Sequence, residues 1–197
     1  MSVLLHLIKW QLGLAEAEIW TTDAERACLV RHAAGKRRLV EVGVWHGGTT
    51  RHLRAAMSPD ATLFAVDPFA KGRLGFSIPR FVARREVARV RNGRVSWVRL
   101  TGEEAARSDI MRQQGPIDFV FIDNAQTYDT LRAEWEAWAP VVGTGGVIAL
   151  HDSRADPAGG PEQTSVAYAR DVVRRDARYS VVDEVDSLTV LRRMAGA

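Results

Sequence analysis

A glycine-rich junction between two differently patterned segments decides the fold. It runs Glu41-Val42-Gly43-Val44-Trp45-His46-Gly47-Gly48-Thr49-Thr50. The β-rich run Leu39–Gly43 leads into it, and a helical pattern from about Gly48 to Met57 leaves it. Glycine adopts positive φ angles easily and lets a ligand approach the main chain closely. The junction therefore predicts a strand, a binding loop and a helix, the opening unit of an α/β fold.

The rest of the chain repeats this alternation of β-rich and helical segments. Further strands are predicted at 62–67, 94–100, 117–122 and 147–150, the last after a turn at 143–146, and residues 179–193 predict a hairpin turning at Asp186 and Ser187. Helices are predicted over about the first twenty residues, at 22–34, 78–91, 102–113 and 163–176, and around Leu131, Trp135 and Trp138. Such alternation is typical of a parallel sheet covered by helices. We expect one domain over 1–197, with a helical cap at 1–36 and a core at 37–197.

Bulk composition excludes several classes of protein. The 197 residues suit one domain, and 46% hydrophobic with 26% charged residues is ordinary for a globular protein. The net charge of +3 is too small to identify a nucleic-acid or membrane partner. Cys28 is the single cysteine, which excludes an intramolecular disulfide and a cysteine-based zinc site. No stretch approaches the ~20 apolar residues of a membrane span, and the first residues lack the pattern of a signal peptide, so we expect a cytoplasmic protein.

Two carboxylates lie beside the glycine-rich junction. Glu41 is within the first strand and Asp67 ends the second. The glycines read G-x-x-x-G rather than the G-x-G-x-x-G of dinucleotide sites, and an acid beside them suits a cationic ligand better than a phosphate. Asp67 is placed to accept hydrogen bonds from ribose hydroxyls, or it caps a turn before Pro68. Together, on neighbouring strands, the two segments favour a nucleoside site.

An ordered set of motifs resembles the class I S-adenosylmethionine-dependent methyltransferases. The set comprises Glu41-x-Gly43-x-x-x-Gly47, Asp67, Thr101-Gly102-Glu103 and Ile122-Asp123. The resemblance implies a Rossmann-like, doubly wound seven-stranded sheet of order 3-2-1-4-5-7-6 with strand 7 antiparallel. It also implies that S-adenosylmethionine is held by Glu41, Gly43, Gly47, Thr49, Asp67, Gly102, Glu103 and Asp123, with the methionine part over the junction, the ribose on Asp67 and the adenine near Gly102 and Glu103.

A narrower resemblance concerns residues 119–128 and 145–152. They are similar to small bacterial O-methyltransferases that modify sugars and natural products, many of them magnesium-dependent. That similarity implies that Asp123 and Asp152 hold Mg²⁺, an ion that prefers oxygen ligands. The group has an acid and then a basic histidine shortly after the first aspartate, where this chain has Ala125 and Gln126.

Glutamine cannot accept a proton, so the general base must lie elsewhere. His151 is the nearest replacement and His46 the next. The alternative is that His151 only orients Asp152 or caps a loop. Without a metal, Asp123 or His151 would have to act as the base alone.

The predicted activity is methyl transfer to a hydroxyl group of a small molecule. One alternative is a non-catalytic S-adenosylmethionine-binding module, because the basic histidine is missing. Another is a nicotinamide-dependent reductase, which the absence of a dinucleotide fingerprint disfavours. The arginine-rich helix at 78–94 is of the kind that binds anions, but it lacks interleaved aromatic residues, so a nucleic-acid partner is disfavoured. The apolar N-terminal helix is suited to packing against a second subunit in a homo-oligomer.

Overall fold

The computed structural model describes Trp10 and residues 17–72, 75–155 and 163–196. Residues 1–9 and 11–16 of the helix expected over the first twenty residues lie outside these ranges, as do parts of the loops at 69–79 and 153–162. Residues 17–20 are described and are not helical, so that end of the expected helix was wrong. The helices are α1 (Asp23–Ala33), α2 (Gly48–Ala56), α3 (Ile78–Ala88), α4 (Gly102–Ala106), α5 (Asp109–Arg112), α6 (Tyr128–Trp138) and α7 (Ser165–Asp171). A 3₁₀ turn follows at Val173–Arg175.

Seven strands form one mixed sheet. They are β1 (Arg38–Val42), β2 (Thr62–Val66), β3 (Arg94–Val98), β4 (Ile117–Ile122), β5 (Val142–Leu150), β6 (Tyr179–Val185) and β7 (Leu188–Arg193). The order is β3-β2-β1-β4-β5-β7-β6, with β7 antiparallel to both of its neighbours and the other pairs parallel. The predicted fold class and strand order are confirmed.

Helices cover both faces of the sheet. Side chains alternate between the faces of a strand, so Val40 packs in the layer of α6 with Trp138, whereas Leu39 packs in the layer of α1 and α2 with Leu29 and Leu53. The buried strands are almost continuously apolar for this reason. Glu41, on the face of Leu39, is the polar exception among the buried residues of β1.

Two predicted boundaries were wrong. The turn expected at 143–146 is part of β5, because a register shift against β4 absorbs the glycines, and Gly145 takes a φ of 76°. The single helix expected at 102–113 is two short helices, since Ser108 begins a new one by accepting a hydrogen bond from the Met111 amide.

The strand register determines where the loops converge. Val42 lies opposite Val66 on one side and Ile122 on the other, and Ile122 lies opposite Leu150. The loops that follow these four strands therefore leave one edge of the sheet, where the strand order reverses between β1 and β4. In open α/β sheets, ligands bind at this position. Among the helices described, none has the length and apolarity that crossing a membrane requires.

Candidate active site

A cavity of about 670 Å³ opens at the carboxyl ends of the strands. This volume lies within the usual range for a small-molecule site. The residues lining this main cavity come from the loops after β1, β2, β4 and β5, from the start of α1 and from the β6–β7 turn. They are Trp20, Thr22, Glu25, Gly43, Trp45, Asp67, Asp123, Asn124, Gln126, His151, Asp152, Gln163, Asp186 and Ser187.

Gly43 permits the close approach of two loops beside the main cavity. Its φ is 91°, and a β-carbon there would lie 2.8 Å from the carbonyl oxygen of Asp123. A larger residue would be strained in its backbone and would push the β4 loop away. The first glycine of the junction therefore fixes the position of Asp123.

The Asp67 carboxylate holds the same loop from the β2 side. Its Oδ2 accepts hydrogen bonds from the amides of Val44 and Trp45 at 3.1 and 3.2 Å, and its Oδ1 accepts one from the Phe69 amide at 2.7 Å. Asp67 remains half-exposed and lines the main cavity. It thus shapes the loop and also presents a carboxylate to a ligand.

Glu41 is a buried carboxylate with no cation beside it among the described residues, and the Thr50 hydroxyl offsets only part of the cost of its burial. Only 1% of the residue is exposed, and within the described part of the chain neither carboxylate oxygen has a hydrogen-bond partner. Burial raises the pKa of Glu41 well above its ordinary value. A buried acid in this state is destabilising unless it is protonated or meets a cation, and it lies in the strand that leads into the binding loop.

His151 lies within a group of three carboxylates. Its Nδ1 is 2.7 Å from Oδ1 of Asp123 and 3.6 Å from Oδ2 of Asp152, and its Nε2 is 3.4 Å from Oε2 of Glu25. Glu25 lies on α1, and its carboxylate accepts hydrogen bonds from the Thr22 amide and from the amide and hydroxyl of Ser187. The imidazole therefore bridges Asp123 and Glu25.

These contacts set the charge of the imidazole. Burial alone would lower the pKa of His151, but the hydrogen bonds to Asp123 and Glu25 outweigh it and raise the pKa to about 10. Burial raises the pKa of the Asp123 carboxyl in spite of the bond from His151. At neutral pH an imidazolium has no free site for a further proton. The expected role of His151 as general base does not fit this arrangement, and Asp123 is the better acceptor.

The expected magnesium ligands, Asp123 and Asp152, each have a nitrogen atom of a neighbouring side chain against them in this structure. The His151 cation takes the position facing Asp123 and Asp152, and the Gln126 side-chain amide also donates to Asp152, at 3.3 Å. Both neighbours are donors or cations where Mg²⁺ would require oxygen ligands and water. Among the described residues, the one set of three metal-ligating groups that converges is Cys28, His32 and Asp183, outside the main cavity.

The cofactor residues expected from the sequence divide into two sets. Those that line the main cavity are Gly43, Asp67 and Asp123; those that do not are Glu41, Gly47, Thr49, Gly102 and Glu103. Gly47 caps α2 and packs on Ala83 of α3, where a β-carbon would come within 2.9 Å of the Ala83 Cα. Thr49 is buried beneath Thr21, with the two hydroxyl oxygens 3.4 Å apart.

Gly102 packs against Glu134, which in turn holds a residue of the cavity wall. A β-carbon there would lie 2.1 Å from Oε2 of Glu134, whose Oε1 accepts a hydrogen bond from the Asn124 side chain at 2.9 Å. Asn124 lines the main cavity, so Gly102 and Glu134 position it from below. The other candidate base, His46, is buried, stacks on Trp45 at 4.6 Å between ring centroids and does not line the main cavity.

Sequence reasoning missed the part of the site that α1 and the β6–β7 turn supply. Glu25 was visible only as the third residue of a Thr22 capping box. Asp186 and Ser187 were assigned to a turn, and Trp20 to the N-terminal helical cap. Each is distant in sequence from the glycine-rich junction, and no short motif links them to it.

Solved structures of known proteins share this fold. A protein of Corynebacterium glutamicum has the same fold, with 16% identity, 100% of this chain and 99% of that chain covered, and a TM-score of 0.69. The O-methyltransferase TomG of Streptomyces achromogenes, solved with S-adenosylmethionine, has 16% identity, coverage of 96% and 87%, and a TM-score of 0.64. The N-methyltransferase NodS of Bradyrhizobium japonicum has 14% identity, coverage of 86% and 94%, and a TM-score of 0.57.

The fold and the cavity at its switch point define a class I methyltransferase. Residues 40–153 match the model of the family described as a methyltransferase domain, and the chain belongs to that family. The predicted class is confirmed, which removes the ground for the reductase alternative. Because one solved relative transfers to oxygen and another to nitrogen, the fold does not decide the accepting atom.

Proposed function

We propose that this chain transfers a methyl group from S-adenosylmethionine to a hydroxyl group of a small molecule bound in the main cavity. The observation that carries this proposal is the juxtaposition in one cavity of Gly43 and Asp67 with the Asp123–His151 pair. The first two residues suit a nucleoside, and the pair suits removal of a proton.

The cofactor end of the site fits S-adenosylmethionine. Gly43 keeps the loop open in a left-handed conformation, and Asp67 offers its carboxylate to the ribose hydroxyls. Glu41 is buried in the strand that leads into this loop and has no cation beside it among the described residues. When bound, the cofactor supplies an electrophilic methyl group on a sulfonium.

The chain's own residues supply positioning and a proton acceptor. Orienting two bound reactants can contribute ~7–11 kcal/mol of the barrier. With the cofactor bound, its methyl group would pass from sulfur to the acceptor oxygen, and the Asp123 carboxylate would accept the proton that this oxygen loses. His151 holds that carboxylate in place and is a positioning residue. No step of this scheme passes through a magnesium ion.

Calorimetry and a methyl-transfer assay test the proposal together. The purified chain should bind S-adenosylhomocysteine and should release it from S-adenosylmethionine in the presence of small hydroxyl-bearing acceptors. Asp67→Asn should weaken S-adenosylhomocysteine binding roughly 10–100-fold, the cost of losing charged hydrogen bonds. Asp129→Asn, in an exposed position on α6, is the matched control. Wild-type protein that does not bind S-adenosylhomocysteine would overturn the proposal.

A non-catalytic module that binds S-adenosylmethionine is the second candidate. Two observations favour it. His151 is paired with carboxylates, and glutamine, which cannot act as a base, stands at position 126 near Asp152. Neither side chain therefore serves as a neutral histidine base. Normal S-adenosylhomocysteine binding with no turnover across hydroxyl and amine acceptors would favour this candidate over the enzyme.

A further inference from the structure

The charge of the main cavity is strongly one-sided. Five of its lining residues are acidic: Glu25, Asp67, Asp123, Asp152 and Asp186. Lysine and arginine do not occur in that lining, and the one histidine in it, His151, lies between the carboxylates of Asp123 and Glu25. Even with the imidazolium counted, the wall carries an excess of negative charge. A cavity of one sign attracts ligands of the other and repels ligands of its own.

Not all of these acids are committed to partners. Both oxygens of Glu25 accept hydrogen bonds, and Asp123 is paired with His151. Asp186 receives one bond on Oδ2, from the Thr22 hydroxyl at 2.6 Å, and Asp152 receives one on Oδ2, from Gln126. The same Oδ2 of Asp152 also lies 3.6 Å from Nδ1 of His151. No described residue forms a hydrogen bond with the other oxygen of either aspartate, so this oxygen can face a ligand.

The arginine-rich surface does not offset this charge. Lys71, Arg80, Arg84 and Arg99 line a separate pocket of about 330 Å³ near the start of α3, which shares no residue with the main cavity. Arg84 also lies over the Trp97 ring, 5.8 Å from its centroid. An anionic group in the main cavity would therefore lie near carboxylates. The basic side chains of α3 that line the second pocket do not line the main cavity.

The walls of the cavity also include two tryptophans. Trp20 is 71% exposed, and Trp45 is 39% exposed with its indole nitrogen donating to Glu18 at 3.1 Å. Exposed indole faces beside carboxylates attract organic cations through the ring quadrupole and cover apolar faces of a ligand. Carboxylates and indoles together suit the binding of an ammonium group on a small organic molecule.

We infer that the methyl acceptor is a cationic, hydroxyl-bearing small molecule, an amino sugar or amino alcohol whose ammonium group pairs with Asp186 and Asp152 beside Trp20. This inference rests on the proposed function and specifies its substrate class. The hydroxyl remains the site of methyl transfer. Phosphorylated acceptors and nucleic acids are the ligands that this wall disfavours.

Matched acceptors that differ in charge test the inference. One series is glucosamine, glucose and glucose 6-phosphate; the other is tyramine, 4-ethylphenol and tyrosine O-phosphate. Binding to the chain saturated with S-adenosylhomocysteine is measured by calorimetry, and methyl transfer by release of S-adenosylhomocysteine. In at least one series we expect the amine to bind tenfold or more tightly than the neutral compound and the phosphate to bind least. The preference should decrease as salt is raised.

Variants locate the effect. Asp186→Asn should reduce the amine-over-neutral preference several-fold, whereas Asp129→Asn should leave it unchanged. Equal binding of amine and neutral compounds in both series, tighter binding of a phosphate, or a preference that survives Asp186→Asn would overturn the inference. Failure of the proposed function has a different signature, because S-adenosylhomocysteine itself would then not bind.

Discussion

The Nδ1 atom of His151 lies 2.7 Å from Oδ1 of Asp123, although the two residues follow different strands. The parallel register of β4 and β5 produces this pair, since Ile122 lies opposite Leu150 and the next residue of each strand leaves the sheet at the same edge. The pair places a charged imidazole behind the carboxylate that we propose as proton acceptor.

Replacing Asp123 should impair the chemical step more than binding. Asp123→Asn removes the proton acceptor, and general bases contribute about 10²–10⁴-fold to rate. We expect kcat to fall by about 100-fold or more, with a small change in KM. Steady-state kinetics provides the measurement, with Asp129→Asn as the control. A variant with wild-type kcat would remove Asp123 from the chemistry.

Chelation of divalent metals should leave the activity intact. The His151 cation and the Gln126 amide face Asp152, where a magnesium site would need oxygen ligands. We expect the same kcat after dialysis against EDTA as after addition of magnesium chloride. If EDTA abolishes turnover and Mg²⁺ restores it, the described positions of these two side chains are not those of the active state.

Two glycine substitutions separate backbone strain from loop packing. Gly43 and Gly35 both have positive φ, 91° and 70°, but a β-carbon on Gly35 would meet no atom within 4 Å. Gly35→Ala should lose about 1–2 kcal/mol of stability from the left-handed conformation alone. Gly43→Ala should lose about 1–3 kcal/mol more, through overpacking against the Asp123 carbonyl.

Urea denaturation gives both free energies of unfolding, and calorimetry gives the affinity for S-adenosylhomocysteine. We expect only Gly43→Ala to weaken that affinity. Equal stability losses in the two variants would show that the Gly43–Asp123 contact is not tightly packed.

The Glu25 carboxylate should make the free energy of unfolding depend on pH in the acidic range. Burial alone would raise its pKa, but the bonds from His151, Thr22 and Ser187 lower the pKa from 4.5 to about 2. Because the folded pKa is depressed, the stabilisation is present above about pH 4.5 and is lost as the pH falls towards 2. Its full size is up to about 3 kcal/mol.

Glu25→Gln should therefore destabilise the fold strongly at pH 7 and less at pH 3. Urea denaturation at both values measures this difference, and Glu136→Gln on the exposed face of α6 is the control. A stability difference that does not change between pH 7 and pH 3 would mean that the Glu25 charge is not the cause.

The sheet and its binding edge could be predicted from local pattern. Buried parallel strands are short apolar runs, and Val40 and Phe119 lie in two such runs, so the positions of β1 to β4 were correct to within one or two residues. The exception is β5, which begins at Val142 rather than at 147. The glycines of β5 and the interruption at Ser108 could not be predicted in the same way. Glycine at 143–146 signals a turn locally, and the segment belongs to β5 only because the flanking residues Val142 and Val147 both pair with β4.

Part of the candidate site could likewise be predicted from local pattern, and part could not. Gly43, Asp67, Asp123, His151 and Asp152 stand directly after strands, where the sequence marks the edge of the sheet, and all five line the main cavity. Gly47 and Gly102 belong to the same motifs, yet a β-carbon on either would meet Ala83 or Glu134. A motif identifies where glycine is required but does not distinguish ligand contact from packing.

By itself, the sequence determined the α/β class, the strand order through its motifs, and the acids and glycines at the carboxyl edge, because periodicity and turn chemistry are local properties of a chain. Only the tertiary structure decided that Glu25 and Asp186 join that edge, that His151 carries a charge between carboxylates, and that acids and indoles together line the cavity. Those features depend on distances between residues as many as 164 positions apart in the chain, as Thr22 and Asp186 are. They also depend on burial, which sets the charge of an acid or a base.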